Sequence, residues 1–523
     1  MNNIYITGFM GSGKSTIARI LAKATGRTCV DMDDEIQRKL DMPIAKAFET
    51  YGEQDFRVRE TELLKSLATQ GNLVVATGGG TPVSETNRTL MKQSGTIILL
   101  DASPEAIAGR IGNKDDSRPN WISIDHATQL LLKRAQAYKD CNIVVKADEP
   151  PQDIINNILQ KLCDPQPFWA EIDDHTIPVI PSFTPQITLA KSLDARTKTQ
   201  GKAYSAIVFI TDDNVAELHL KRFRDALPHA ASIVIKPGED SKTLRQAETV
   251  FEQLLALGIG RDALIIAIGG GMVTDFAAFV AATYKRGIDF ILVSTTLLGC
   301  VDAVIGGKTA VNLNHYKNQV GLFALPTEIY LDLTALRTLS AEKISEGLVE
   351  AYKTGLACDE ILENTILENL DRLMKNDIEK IADVAINSAQ AKAKVVNQDF
   401  HETGLRKILN LGHTYGHAME TWCQEKTSHG RCVGVGMIVA VNIARQRKLI
   451  DPQKASEIIE TTRKILGNVP MDFPSAEQAL QLMKADKKNT EGKISFILPK
   501  GNREFTIAQD IQLEELKNAI NIL

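Results

Sequence analysis

The sequence predicts an α/β protein built from two parallel-sheet regions followed by a helical one. Three observations carry that expectation. Short apolar runs alternate with helical patterns over residues 3–162, the same alternation returns over residues 178–332, and beyond residue 340 the pattern is helical nearly throughout. The chain has 523 residues, room for three or four units of about 150 residues each. Seven of the 18 prolines fall between Pro150 and Pro185, and Pro165 and Pro167 cannot continue the helical pattern of residues 153–162. A connector is expected near residues 163–170, giving regions 1–165, 166–335 and 336–523.

Composition narrows the functional classes. Lys and Arg number 60 against 65 Asp and Glu, a net charge of -5, so no polybasic surface for nucleic acid or membrane is expected. The seven cysteines are scattered without a CxxC pair, which argues for a reducing compartment and against a disulfide framework. The opening MNNIYITGFMGSGKST has no basic segment followed by a long apolar core, so it does not read as a signal peptide. No run of apolar residues is long enough for a conventional membrane span. A cytoplasmic enzyme acting on small molecules is the expectation.

In the first region the strands are expected at residues 3–7, 29–31, 73–77, 96–101 and 142–145, with helices between them. The first strand runs into Gly8-Phe9-Met10-Gly11-Ser12-Gly13-Lys14-Ser15, which fits GxxxxGK[ST] and opens a helix with Ile17, Ile20, Leu21 and Ala24 on one face. Glycines let the backbone wrap a phosphate, and successive amides at a helix N-terminus supply donors and positive potential. Lys14 would reach the β- and γ-phosphates and Ser15 would help hold Mg²⁺. Asp31 and Asp33 end the second strand, where one carboxylate can serve the cation and the other an acceptor hydroxyl. Arg57 lies in GEQDFRVRE, Gly78 to Gly80 end the third strand, Arg118 lies in the polar stretch GNKDDSRPN that reads as a lid, and Arg134 follows in KRAQAY. Arginines suit two-pronged binding of carboxylate or phosphate.

Together these residues resemble the shikimate kinase family over about residues 1–162. The resemblance implies a P-loop kinase domain that uses Mg²⁺ and ATP to phosphorylate the 3-hydroxyl of shikimate. It places ATP on Gly11, Ser12, Gly13, Lys14, Ser15 and Thr16, with Arg110 near the adenine and Arg118 closing over the phosphates. Shikimate would be held by Asp33, Arg57, Gly79 and Arg134. Asp31 and Ser15 would lie at Mg²⁺, and Asp33 would orient or deprotonate the attacking hydroxyl beside Lys14.

The second region opens with the strand-like runs IVFITD, ASIVIKPGE, ALIIAIGGG, FILVSTT and EIYLDL. The third ends in Gly269-Gly270-Gly271-Met272-Val273-Thr274-Asp275, a glycine turn able to bring amides near a pyrophosphate, although it is not GxGxxG. In the helical region His413 and His417 stand four apart on one helix face, His429 follows, and Glu350 offers a carboxylate. Spacing alone invites the pair His413 and His417 as metal ligands, and equally allows two packed histidines. A catalytic zinc takes three protein ligands and leaves one position open.

The ordered set PGEDSK, GGGMVTD, YKRG, STTLLGCVDAVIGGKTAVN, YKN, EGLVEAYKTG, GLRKILNLGHTYGHA, SHG and DKK resembles the 3-dehydroquinate synthase family across about 340 residues. That resemblance implies a Rossmann-like NAD-binding region and an all-helical metal-binding region forming one enzyme. The reaction implied converts 3-deoxy-D-arabino-heptulosonate 7-phosphate to 3-dehydroquinate and phosphate with NAD and Zn²⁺ or another divalent metal such as Co²⁺. The metal would be held by Glu350, His413 and His429, with His417 as a proton relay. NAD would meet Asp212, Asn214, Glu239, Lys242, Gly271 to Asp275, Thr295, Thr296, Lys308, Lys317 and the turn Ala335, Leu336, Arg337 and Thr338. The substrate would meet Arg286, Lys317, Asn318, Lys353, Lys392, Arg406, Asn410, His417 and Lys487, with Asp302, Lys308, Lys353, Arg406 and Asn410 joining the chemistry.

Where that family usually has Glu after His-Gly, this chain has Arg431, so a carboxylate able to orient the metal shell is expected to be missing. The whole chain thus resembles a fusion of the two families, with a homodimer formed through the synthase half. Three other readings compete. One half could be inactive and serve only for dimerisation, or the second half could be a different sugar-phosphate cyclase or a metal-dependent polyol dehydrogenase.

Overall fold

β1 (Asn3–Gly8) is buried at every position and feeds two cores at once. Successive side chains of a strand point to opposite faces, so Ile4 and Ile6 pack with Ile17, Leu21 and Ile154 on one side while Tyr5 packs with Met32, Phe56 and Leu64 on the other. Burial on both faces is what a parallel sheet between helices demands. The computed structural model describes residues 3–111, 124–163, 165–201, 203–314, 316–424, 427–467, 472–485, 494–501 and 503–523. It divides into two compact units, Met1–Asp164 and Pro165–Leu523.

In the first unit β1 is joined by β2 (Thr28–Asp31), β3 (Leu73–Ala76), β4 (Gly95–Asp101) and β5 (Ile143–Lys146) in the parallel order β2-β3-β1-β4-β5. The C-terminal ends of β1, β2 and β3 therefore lie side by side. They deliver the glycine loop before helix Lys14–Thr25, the Asp31–Asp33 segment and the glycines after β3 to one edge of the sheet. That edge is where open α/β sheets bind ligands.

The second unit carries a seven-stranded sheet. β6 (Phe168–Ile172) and β7 (His175–Ser182) form a hairpin, and β8 (Ile207–Asp212), β9 (Ala231–Ile235), β10 (Leu264–Gly269) and β11 (Asp289–Ser294) follow. β12 (Lys308–Leu313) and β13 (Tyr316–Phe323) make a separate antiparallel pair before β14 (Glu328–Asp332) returns to the sheet. The order is β6-β7-β14-β11-β10-β8-β9, parallel except for β6. The expected connector accordingly ends early, because Phe168 to Ile172 already pair with β7.

β10 again serves two cores, with Ile265 and Ala267 facing one and Leu264, Ile266 and Ile268 the other. The first of these cores is continuous with the helical region, where it takes in Leu348, Val384, Tyr415, Val435 and Ile458. One face of the sheet and the helices therefore share one interior. The helical region includes one exception to the expected pattern, the antiparallel hairpin β15 (Phe496–Gly501) and β16 (Glu504–Ala508). Its runs FILPK and EFTIA are strand-like, and Gly501 turns the chain at φ 84°.

Three helices of this region meet unusually closely. A Cβ on Gly436 of helix His429–Gln446 would overlap the Gly412 carbonyl at the start of helix His413–Trp422. A Cβ on Gly430 would lie 2.5 Å from the Glu346 carbonyl of helix Ala341–Cys358. Only glycine permits those approaches, and they bring the side chains of all three helices within reach of one another.

Candidate active sites

In the first unit the loop after β1 rises through Gly11 and Gly13, at φ 77° and 95°, and Lys14 opens the helix with its Nζ donating to the Phe9 carbonyl at 3.0 Å. Inside the loop the buried Ser12 hydroxyl makes no hydrogen bond among the described residues. Arg110 donates to the Ser12 carbonyl at 3.3 Å and to the Ala147 carbonyl, which places it beside the loop. Asp31 caps helix Met32–Leu40 by accepting from the Asp33 amide at 3.1 Å. Burial, with Asp31, Glu60 and Asp34 adding to it, pushes Asp33 up to about 6 against the pull of Lys14.

Arg57 lies over the paired rings of Phe48 and Phe56 and donates to Glu60 at 2.5 Å and Glu53 at 3.0 Å. Glu60 is only 1% exposed and also accepts from Thr81 at 2.7 Å. A Cβ at Gly78 would sit 2.5 Å from a Glu60 oxygen and 2.9 Å from an Asp33 oxygen, so the glycine run lies against both acids. Arg134 and Tyr138 reach the Gly79 carbonyl at 3.4 and 2.6 Å. Asp33, Arg57, Gly79 and Arg134 thus converge beside the phosphate loop. Glu60 and Tyr138 were passed over in the sequence, although Glu60 stands three residues from Arg57 on one helix, a spacing that puts side chains together.

In the second unit Glu350 is 1% exposed, and its Oε1 accepts no hydrogen bond among the described residues. Its Oε1 faces Nε2 of His429 at 3.6 Å and Nε2 of His413 at 4.0 Å, while Lys353 ion-pairs with Oε2. A buried carboxylate oxygen without a hydrogen bond, opposed by two imidazoles, fits the donor set of a divalent metal. Glu350, His413 and His429 can direct ligand atoms to one point, as can His417, Glu420 and His429. His413 and His417 stand with ring centroids 5.5 Å apart, yet they share neither triad.

A ring of charges surrounds this centre. Asp302 is partly buried, which raises it, but Lys392 and Lys353 hold it well below the usual carboxylate range. Lys392 donates to its Oδ1 at 2.7 Å and to its carbonyl. Arg406 is buried and donates to the Phe400 carbonyl at 2.7 Å. Asn410 donates to Glu402 at 2.6 Å, and Lys308 pairs with the other Glu402 oxygen. Lys308, Glu402, Asn410, His413 and His417 line a cavity of about 490 Å³.

Toward the sheet, Lys242 donates to Asp275 at 2.8 Å and Asn318 at 2.6 Å, and Asn312 ties Glu239 to the same group. The glycine turn starts helix Gly271–Thr283, and the buried Thr295 hydroxyl beside it makes no hydrogen bond among the described residues. Asp212 caps the segment containing Asn214 by accepting from Val215 at 2.9 Å. The Ala335–Thr338 turn is fixed by Asp332, which accepts from the Ala335 amide, and by Thr338, which lies 3.1 Å from His219.

Residues 10–163 match the shikimate kinase family, residues 232–346 the 3-dehydroquinate synthase N-terminal family and residues 347–489 the 3-dehydroquinate synthase C-terminal family. A bifunctional shikimate kinase/3-dehydroquinate synthase of Thermotoga maritima is 29% identical over 521 residues, covering 98% of this chain and 99% of that protein. A 3-dehydroquinate synthase of Caldanaerobacter subterraneus is 40% identical over 299 residues, covering 56% of this chain and 83% of that protein. The chain belongs to the 3-dehydroquinate synthase family, with a shikimate kinase domain fused ahead of it. Among solved structures, a 2-epi-5-epi-valiolone synthase of Streptomyces hygroscopicus with NAD⁺ and Zn²⁺ bound shares the fold. It has a TM-score of 0.59 and 23% identity, covering 66% of this chain and 95% of that one.

Not every residue carried over to the synthase joins the centre. Arg286 is exposed on a turn at φ 70° and makes no hydrogen bond or ion pair among the described residues. Arg337 is exposed and lies over the ring of Phe183. Arg118 of the kinase lid and Lys487 lie outside the described residues. Arg431 donates to Glu342 at 3.0 Å, and the carboxylate expected to be missing is present elsewhere, since Glu420 meets Nδ1 of His429 at 2.6 Å. Glu402 and Glu420 are the two synthase residues that motif matching passed over. No helix among the described residues is long and apolar enough to cross a membrane.

Proposed function

We propose that the two activities run on two separate constellations, each with its own cofactors. In the first, Lys14 and the amides of residues 11 to 16 hold the phosphates of ATP, with Ser15 and Asp31 at Mg²⁺. Arg57 and Arg134 hold the shikimate carboxylate, and Asp33 orients the 3-hydroxyl and accepts its proton. Positioning and charge neutralisation carry most of a phosphoryl transfer, which suits a site built from backbone donors, cations and a single carboxyl raised toward neutrality.

In the second, Glu350, His413 and His429 would hold a divalent cation, Zn²⁺ or Co²⁺, which polarises a substrate hydroxyl, while NAD along residues 271–275 supplies a reversible hydride acceptor. The residues of this chain do the rest. Lys353, Lys392 and Arg406 neutralise a substrate that carries both phosphate and carboxylate, Asn410 orients its hydroxyls, and His417 relays a proton. Asp302 stays charged between two lysines and fixes their position. The substrate class follows from that density of buried cations, which a neutral polyol would not require.

The observation that carries the synthase reading is the 1% exposed Glu350 carboxylate facing two imidazoles at the side of a cavity of about 490 Å³. Assaying both reactions on the full chain, with and without chelator and added NAD, tests it. A zinc-selective chelator used with magnesium in excess, or NAD removal, should stop only the formation of 3-dehydroquinate, and magnesium removal should stop only shikimate phosphorylation. The chain acts in the cytoplasm on small molecules, as a homodimer through its synthase half, which sedimentation of the purified protein checks.

A further inference from the structure

Glu420 stands three residues after His417 on helix His413–Trp422 and is 8% exposed. A carboxylate this deep needs partners. Its Oε1 lies 2.6 Å from Nδ1 of His429, and its Oε2 lies 3.9 Å from Nζ of Lys317 on β13. A carboxylate oxygen accepts in such a contact, so Nδ1–H of His429 is the donor. The lone pair is then left on Nε2, the nitrogen that faces Glu350 at 3.6 Å.

The contact is a hydrogen bond rather than two ligands on one metal. Ligand atoms at about 2.1 Å from a tetrahedral zinc stand about 3.4 Å apart, well beyond the separation seen here. Position 431, two residues after His429, offers no substitute, because Arg431 is turned to Glu342 on helix Ala341–Cys358.

We propose that Glu420 is the positioning residue of the synthase metal site, fixing the tautomer and ring orientation of His429 so that Nε2 completes the set with Glu350 and His413. The inference rests on the reading of those three residues as metal ligands. It also gives the helix carrying His413 and His417 a second hold on the centre, through a residue that touches neither substrate nor metal.

The test measures Zn²⁺ affinity of the full-length chain by competition with a chromogenic chelator, and the absorption spectrum of the Co²⁺ form. Glu420→Ala should weaken zinc about 10–100-fold and change the cobalt spectrum. Glu420→Gln keeps an oxygen able to accept from Nδ1–H, so it should stay within about tenfold of the unmodified chain with an unchanged spectrum. Arg431→Ala should alter zinc affinity by less than about twofold, its partner being Glu342. Melting of the metal-free variants separates loss of fold from loss of metal, and the Gln variant decides the matter should the Ala variant fail to fold. Unchanged affinity in a folded Glu420→Ala overturns the inference. So does a Gln variant with zinc binding far weaker than tenfold and an altered spectrum, which would make Glu420 a direct ligand. Glu350→Gln is the control: if it retains zinc, the metal assignment itself falls, whereas loss of zinc there with none in Glu420→Ala sinks only the positioning role.

Discussion

Asp33 of the kinase unit and Asp302 of the synthase unit are both partly buried aspartates at the centre of a site, and their surroundings drive them in opposite directions. Burial lifts Asp33 to about 6, with Asp31, Glu60 and Asp34 helping and only Lys14 opposing. Burial also raises Asp302, but Lys392 and Lys353 outweigh it and pull the group down. The sign of the charges nearby, rather than burial, decides which carboxyl can trade a proton near neutrality. A site that brings its cation with the nucleotide can leave its base among acids. A site that must receive a doubly anionic substrate keeps buried lysines and an arginine in place, with an aspartate locked between them.

The contrast breaks most sharply if the two units share catalytic groups. Glu350→Ala or His413→Ala should lose the bound metal and lower 3-dehydroquinate formation about 10³-fold or more, because Lewis-acid polarisation carries several kcal/mol. Shikimate phosphorylation in the same preparations should be unchanged. Metal analysis with both assays checks this, and a parallel fall of the two activities would contradict it.

Next in size is Lys14→Ala, which should reduce shikimate phosphorylation about 10²–10³-fold by removing a cation from the phosphates. The synthase reaction should proceed at its normal rate. Kinase turnover within threefold of the unmodified chain would remove Lys14 from the phosphate site.

The two sites also differ in how far their residues could be read before any coordinates. The phosphate loop is contiguous, and its glycines, lysine and serine sit at fixed spacing because the backbone itself is the binding surface. The synthase centre is assembled from residues 302 to 429 by glycine-lined helix contacts, and the histidine spacing alone points to His413 and His417, which share neither candidate ligand set. Glu402, Glu420 and Tyr138 escaped because they act through tertiary contacts: Glu402 meets Lys308 from 94 residues away, and Tyr138 meets Gly79 from 59, whereas Glu60 is legible by its spacing from Arg57. The strand alternation read well for β1 to β5, β8 to β11 and β14, whose central members β1, β3 and β10 are buried on two faces, but it missed the hairpin β6–β7. It also missed the hairpins β12–β13 and β15–β16, since short antiparallel pairs outside a sheet leave only a brief apolar signature.

A smaller effect separates metal binding from proton relay within the synthase. His417→Ala should retain full zinc, because Glu350, His413 and His429 form their set without it. Its turnover should fall about 10²-fold, the usual contribution of a positioned acid or base. Zinc content and kcat on the same sample check this. Loss of zinc in His417→Ala would restore the helix pair as the metal site.

The smallest effect is on stability, and here the two units should answer acid with opposite signs. Asp33 has a folded value of about 6 against 3.8 in an unfolded chain, so the folded kinase unit binds its proton more tightly. The resulting stabilisation is full below about 3.8 and is lost as pH rises through about 6. His219 behaves in reverse. Burial, reinforced by the Arg222 charge, lowers it from 6.5 to about 4 where it packs against Thr338. Its contribution is full above about 6.5 and is lost as pH falls toward 4, because the unfolded imidazole takes a proton that the folded one refuses. Scanning calorimetry of the metal-free chain at pH 6.5 and pH 4.5 should therefore show two transitions that move relative to one another by about 1–2 kcal/mol, a few degrees, the synthase transition dropping further. His219→Asn should shrink the acid sensitivity of the synthase transition alone, and Asp33→Asn should flatten that of the kinase transition alone. Two transitions that fall in step, and that neither substitution changes, would show that these two groups do not set the acid response of their units.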